Sequence, residues 1–167
     1  MKADGLEMPV WWMRVIFGRH PRRTLIRLSL LVALTVVLFK FFILPIQVSG
    51  RSMEPTYIDG KVNFVNQLAY VWAKPKRGDV VAIRMPTERD MLLKRIVALP
   101  GERVAMWRGR IWINGKQIEE PYLRWKGGLR FDEVKVDPDH YYVVGDNRGI
   151  SVYFPVPIRQ IVGKVMF

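Results

Sequence analysis

The sequence predicts a mainly β chain, with one N-terminal transmembrane helix followed by a single all-β, barrel-like domain. Three observations carry that expectation. A single apolar run near the N-terminus is long enough for a spanning helix. Beyond Pro45 the hydrophobic period changes from helical to alternating. Seven short β-branched or aromatic runs then follow, each bounded by Gly, Pro, Asp or Asn.

Residues 1–23 are short, basic and aromatic, with Trp11, Trp12, Arg14, Arg19, Arg22 and Arg23 outweighing Asp4 and Glu7. Trp and Arg together suit a membrane interface, where an amphipathic ring and a snorkelling cation both find partners; a solvated tail is the alternative. Residues 24–44 supply the roughly 20 apolar residues that a span needs. Lys40 is the one charge well inside this run and is expected at the outer interface, since a charge at the bilayer centre costs about 2.5 to 3.5 kcal/mol. A cleaved signal would have a shorter apolar core and a small-residue cleavage site, so the run reads as a retained anchor. The Arg cluster before it places the N-terminus in the cytoplasm by the positive-inside bias, and residues 45–167 outside it.

In that third segment the expected strands are Lys61–Val65, Gly78–Arg84, Leu92–Ala98, Arg103–Trp107, Arg110–Ile113, Tyr141–Val144 and Ile161–Val165. So many short strands imply a curled or barrel-like sheet that limits open edges. Asn114-Gly115 marks the clearest hairpin. Only Asn66–Ala73 reads as a possible helical turn.

The 167 residues leave room for one ordinary domain plus an anchor. Cysteine is absent, which excludes disulfides, thiolate nucleophiles and Cys-based metal sites. The net charge of +12 suits an anionic partner. The cations are spread along the chain with no stripe, zinc-finger spacing or RNA-binding aromatic motif, so acidic phospholipid is expected as that partner and nucleic acid is not.

Two stretches suggest chemistry. Ser49-Gly50-Arg51-Ser52-Met53-Glu54-Pro55-Thr56 follows the anchor closely and offers Ser52 as a nucleophile, although Ser beside Gly is more often a plain turn residue. In Leu92–Ala98, alternation puts Leu92, Lys94, Ile96 and Ala98 on one face and Leu93, Arg95 and Val97 on the other. If the first face is the core face, Lys94 is buried among aliphatic side chains. An exposed lysine titrates at about 10.4 and is no base at neutral pH. Burial without a counterion lowers such a pKa by about 3 units, after which the amine can take a proton from serine and return it to a leaving amine. Snorkelling at a sheet edge is the simpler alternative.

A third stretch, Gly145-Asp146-Asn147-Arg148-Gly149-Ile150-Ser151, follows a strand and reads as a turn. In a site, Asp146 would orient Arg148, and Ser151 would hydrogen-bond the lysine amine. A Ser52, His140 and Asp146 triad is a further alternative, but Asp137-Pro138-Asp139-His140 reads more simply as a turn.

Together these stretches resemble the type I signal peptidases, membrane-bound serine proteases with a Ser/Lys dyad. The ordered blocks are 45–56 (Pro-Ile-Gln-Val-Ser-Gly-Arg-Ser-Met-Glu-Pro-Thr), 76–81 (Lys-Arg-Gly-Asp-Val-Val) and 94–102 (Lys-Arg-Ile-Val-Ala-Leu-Pro-Gly-Glu). Asn114-Gly115 with Glu120-Pro121-Tyr122 follows, and then Gly145-Asp146-Asn147-Arg148.

The resemblance implies Ser52 as nucleophile and Lys94 as general base and acid, with no metal or cofactor. It implies preprotein substrates cut after small residues at −1 and −3, an all-β catalytic domain, and a bacterial plasma membrane. The substrate strand would pair near Val48 and Leu92, with Ile46, Val48, Met53 and Leu93 lining its pockets.

This chain departs from the family pattern at two places. Gly50 stands where some members have a serine that helps form the oxyanion hole, so the Ser52 N–H needs another main-chain donor. Ser151 is retained, but Val152-Tyr153-Phe154 replaces the usual Asp-Ser-Arg. That second departure motivates two alternatives: a specialised relative maturing a dedicated secretion or pilus substrate, and a silent membrane-anchored β domain binding preproteins or lipid.

Overall fold

The computed structural model describes residues 21–86, 91–124 and 127–166. Most of the expected basic N-terminal segment, residues 1–20, lies outside the described residues. The chain divides into two compact units, residues 1–40 and 41–167.

The helix α1 spans Pro21–Phe41, and all but its last residue belong to the first unit. Proline at its first position has no N–H to waste there. The helix is long and apolar enough to cross a membrane by length and composition. Lys40 falls in its last turn, where a cation complements the helix dipole. The run counted as a span through Leu44 is therefore shorter as a helix, because Ile43 and Leu44 pair with Asn66 and Val65 in a strand.

The second unit is all antiparallel β. Its strands are β1 (Ile43–Gln47), β2 (Val62–Asn66), β3 (Val80–Arg84), β4 (Met91–Ala98), β5 (Arg103–Trp107) and β6 (Arg110–Ile113). They continue as β7 (Lys116–Gln117), β8 (Phe131–Lys135), β9 (His140–Val144), β10 (Tyr153–Pro157) and β11 (Ile161–Met166). Seven strands form the larger sheet in the order β1-β2-β11-β3-β4-β9-β10, and four form the smaller one, β7-β6-β5-β8.

The strands absent from the sequence expectation are β1, β8 and β10, and all three are sheet edges. Proline cannot donate to a ladder, so Pro45 in β1 and Pro155 and Pro157 in β10 are tolerated only there. β8, Phe-Asp-Glu-Val-Lys, is too polar to show alternation. The central strands β3, β4 and β9 are instead buried on both faces, which is why β3 and β9 read as nearly continuous apolar runs, whereas β4 carries Lys94 and Arg95 within its run.

The Asn114-Gly115 hairpin is present, with both residues at positive φ as a two-residue turn requires. Asn66–Ala73 is a succession of turns rather than a helix, opened by the Asn66 side chain accepting from the Leu68 N–H. Val97, Ala98, Tyr142 and Val144 from the larger sheet pack with Val104, Met106, Ile111 and Ile113 from the smaller, so one core joins the two sheets.

Candidate active site

The segment between β1 and β2 carries Ser52 and has no ladder of its own. Its neighbours hold it instead. Met53 is 1% exposed and Tyr57 is also buried, both in the cluster with Val48, Val65 and Leu93. Burying one such side chain is worth roughly 1.5 to 3 kcal/mol, enough to anchor the turn beside the half-buried Ser52. Gly50 has φ +92°, a conformation that L side chains avoid, and its N–H donates to Asp59 Oδ1 at 2.9 Å. That N–H is therefore engaged within the segment.

Lys94 lies within β4, opposite Val81 of β3, and is 3% exposed. Its Nζ is 2.8 Å from Ser52 Oγ in a hydrogen bond. The sheet thus brings together two groups that are 42 residues apart in the chain.

The alternation expected for β4 holds only in part. Leu92 and Ile96 share a cluster, as expected of one face. Ala98 joins Val97 in another cluster, because the β4–β9 register shifts between Ile96 and Ala98. Arg95 faces away from Lys94 but is buried too, since this central strand has no solvent face.

Arg95 corrects the expected role of Asp146. The Asp146 carboxylate is wholly buried and pairs with Arg95, not Arg148: Arg95 Nε donates to Oδ1 at 2.8 Å and Nη2 to Oδ2 at 2.6 Å. Thr56 Oγ1 donates to the same Oδ2 at 2.6 Å, tying the serine segment to the pair. Burial acts to lower the Arg95 pKa, but the hydrogen bonds and charge of Asp146 outweigh it and hold the guanidinium above its ordinary value. Nearby, burial raises the Tyr57 phenol, with Arg95 opposing and Asp146 reinforcing the shift.

Arg148, also wholly buried, pairs with Glu120 and donates to the Gly145 and Gly109 carbonyls. The Ser151 hydroxyl accepts from the Gly145 N–H at 2.6 Å and donates to the Val152 carbonyl at 3.0 Å. Gly145 is a close-approach glycine: a Cβ there would lie 2.3 Å from both the Ser52 carbonyl oxygen and Ser151 Oγ. Asn147 completes the contact, its N–H donating to the Ser52 carbonyl and its Nδ2 to that of Arg51.

A groove of about 580 Å³ runs along β1 and is lined by Ile46, Val48, Ser49 and Met91, among others. Ile46, Val48, Met53 and Leu93 belong to one apolar cluster, whereas the Leu92 side chain packs on the other side of β4 with Val81 and Ile96. Among the described residues the β4–β9 pairing begins at Arg95, which leaves Met91–Leu93 along a margin of β4 without a β9 partner. His140 begins β9, about five residues and roughly 16 Å of strand from Gly145. It is remote from Ser52, which removes the histidine triad.

Comparison with known proteins decides the family. The description "Signal peptidase, peptidase S26" matches residues 22–167. The chain belongs to the signal peptidase family.

Among its relatives, signal peptidase I P of Bacillus subtilis subsp. natto is 34% identical over 131 residues, covering 72% of this chain and 70% of that protein. A signal peptidase I of Bacillus amyloliquefaciens is 38% identical over the same coverage. A crystal structure of signal peptidase I from Enterococcus faecalis V583 superposes with a TM-score of 0.46 at 23% identity, over 56% of this chain and 98% of the other. Membership supports a serine-type peptidase that removes signal peptides from preproteins. Sequence reasoning named Ser52, Lys94 and Asp146 but missed Arg95, Thr56 and Asn147 as parts of this cluster. A second cation beside Lys94 in so apolar a strand was the available signal for Arg95.

Proposed function

We propose that this protein is a membrane-anchored endopeptidase in which Ser52 attacks the scissile carbonyl and Lys94 moves the proton. The observation that carries the proposal is the 2.8 Å contact between a half-buried serine oxygen and a buried lysine amine. In its neutral form Lys94 takes the hydroxyl proton as the Oγ–C bond forms, and the Ser52 N–H stabilises the oxyanion. The proton then passes to the leaving amine as the peptide bond breaks. Water, deprotonated by the same amine, attacks the acyl carbonyl; the ester C–Oγ bond breaks as Lys94 returns the proton to Ser52 Oγ, which frees the cleaved carboxylate.

The substrate is an extended preprotein segment with small residues at −1 and −3. It pairs along β1 and the start of β4, with its side chains toward Ile46, Val48, Met53 and Leu93 and with Leu92 contributing main chain. The groove beside β1 supports this placement. α1 crosses the plasma membrane of a bacterium with the N-terminus cytoplasmic and residues 45–167 outside, with acidic phospholipid around the anchor. A preprotein whose apolar segment stays in the same bilayer meets the enzyme in two dimensions, which favours the reactive orientation.

The Val152-Tyr153-Phe154 departure does not favour a dedicated substrate. Tyr153 and Phe154 build β10, and the Tyr153 ring stacks on Phe131 with centroids 4.6 Å apart. Arg95–Asp146 and Arg148–Glu120 brace the site instead.

The test is cleavage of a fluorescent signal-peptide substrate by the full chain in lipid micelles, with Ser52→Ala and Lys94→Met alongside. Loss of at least about 10³-fold in kcat is expected for each variant. Parental activity in either variant would sink the proposal, and a folded but inactive parent would favour the binding-domain alternative.

A further inference from the structure

Glu120-Pro121-Tyr122 follows β7, belongs to no strand, and touches both ion pairs behind the site. The Arg95 guanidinium has its edges occupied, by Asp146 on two nitrogens and by the Gly78 carbonyl on the third at 2.7 Å. Those bonds fix it within its own plane. Its face is covered by the Tyr122 ring, whose centroid lies 3.9 Å from Arg95 Cζ, a cation–π contact that opposes tilting.

The ring is itself oriented, because the Tyr122 hydroxyl donates to Glu120 Oε1 and Glu120 accepts from Arg148 Nη1 and Nη2. Burial raises the Tyr122 pKa, and the neighbouring Glu120 charge raises it further, so the phenol stays a donor across the working pH range.

Two arms leave this segment and converge on the serine. One runs through the Tyr122 ring, Arg95 and Asp146 to Thr56. The other runs through Glu120 and Arg148 to the carbonyl of Gly145, the residue packed on the Ser52 carbonyl. Arg95 is also the chain neighbour of Lys94. A tilt of Arg95 would thus displace both members of the pair, by different paths.

We infer that Tyr122 is a positioning residue for the Ser52–Lys94 pair, acting through Arg95 and Asp146, with Glu120 holding its ring. This rests on the reading of Ser52 and Lys94 as the reacting groups. Tyr122 is not among the residues that line the groove along β1, and its partners among the described residues are Arg95 and Glu120. Its effect is therefore on the chemical step and not on substrate affinity. Misplacement of reacting groups by about 1 Å costs roughly 10²-fold in rate.

The test compares Tyr122→Phe, Tyr122→Leu and Tyr122→Met with the parent and with Ser52→Ala, measuring kcat and KM of the full chain in lipid micelles and folded fraction by near-ultraviolet circular dichroism. The aliphatic variants are expected to lose about 10²-fold in kcat with KM within about twofold. Tyr122→Phe keeps a ring over Arg95 but loses the hydroxyl bond to Glu120, and its kcat is expected to fall between those of the parent and the aliphatic variants. Should the leucine variant fail to fold, the methionine variant, closer in volume, supplies the comparison.

The inference is overturned if folded aliphatic variants keep the parental kcat, if phenylalanine is as damaging as leucine, or if every loss follows the folded fraction. A fully active Ser52→Ala protein would instead overturn the reading of the dyad. An inactive Ser52→Ala protein beside a fully active Tyr122→Leu protein would overturn only the role of Tyr122.

Discussion

The two members of the Ser52–Lys94 pair are held by different physics. Lys94 sits in β4, whose ladder to β3 is continuous from Met91 to Arg95 and whose ladder to β9 begins at Arg95. Ser52 sits in a turn-rich segment held by a buried methionine, by Thr56 on Asp146, and by the 145–151 loop against its carbonyl. A ladder distributes its hold over many weak bonds, so one substitution on β4 should move the lysine little. The serine hangs from a few contacts, each of which is a single point of failure.

The sharpest way to break that contrast is Gly145→Ala. The added Cβ would meet the Ser52 carbonyl oxygen and Ser151 Oγ, both at 2.3 Å, and one of the two is main chain that cannot simply rotate away. Displacement of the serine segment is expected to lower kcat by at least about 10²-fold. Gly50→Ala is the control. Its Cβ would meet nothing within 4 Å, so the cost is the positive φ alone, about 1 to 2 kcal/mol of stability. Kinetics and denaturant unfolding on both variants separate the outcomes. Equal kcat losses would mean that close approach at Gly145 does not set the serine.

A second test concerns what the buried pairs contribute. Asp146→Asn leaves Arg95 buried without its counter-charge, and breaking such a pair costs about 3 to 5 kcal/mol. Arg103–Glu133 has side chains 63% and 45% exposed, and Glu133→Gln should cost less than about 1 kcal/mol. Urea midpoints of the two variants check the difference. Similar midpoints would show that Asp146 is dispensable to the fold and that the serine segment is held by other means.

How much of this was legible in the sequence follows the same division. Central strands announced themselves because burial on both faces favours long apolar runs, broken in β4 only by Lys94 and Arg95, and the Asn114-Gly115 hairpin did so because few residues accept two positive φ values in succession. Of the edge strands, β1 and β10 were hidden by the prolines that edges alone tolerate, and β8 by its polarity. Lys94 could be singled out because a lysine in an apolar strand conflicts with its surroundings. Asp146 could be placed near the site, yet its partner was misassigned: Arg148 is two residues away in sequence, whereas Arg95 is brought to it by the sheet. Pairings between distant residues depend on strand order, which local patterning does not encode.

The smallest expected effect tests the lysine side of the contrast. Asp79, just before β3, accepts from Lys164 of β11, the Lys76 N–H and the Tyr70 hydroxyl, while its own carbonyl accepts from the Ile96 N–H. Burial acts to raise its pKa, but the Lys164, Lys76 and Tyr70 hydrogen bonds outweigh it and hold the carboxyl below its ordinary value. With the folded pKa below the unfolded one, its stabilisation is fully present above the ordinary aspartate value of about 3.9 and fades as pH falls through the folded value. The parent should therefore exceed Asp79→Asn in stability by a constant, small margin above about pH 5, and the two should converge on acidification. Lys164 is half-exposed, so salt should narrow the margin further. Because the β3–β4 ladder persists without this carboxylate, kcat of Asp79→Asn at neutral pH should match the parent. A large loss of kcat there would mean that Lys94 depends on single side-chain contacts as much as Ser52 does, and the contrast between the two would disappear.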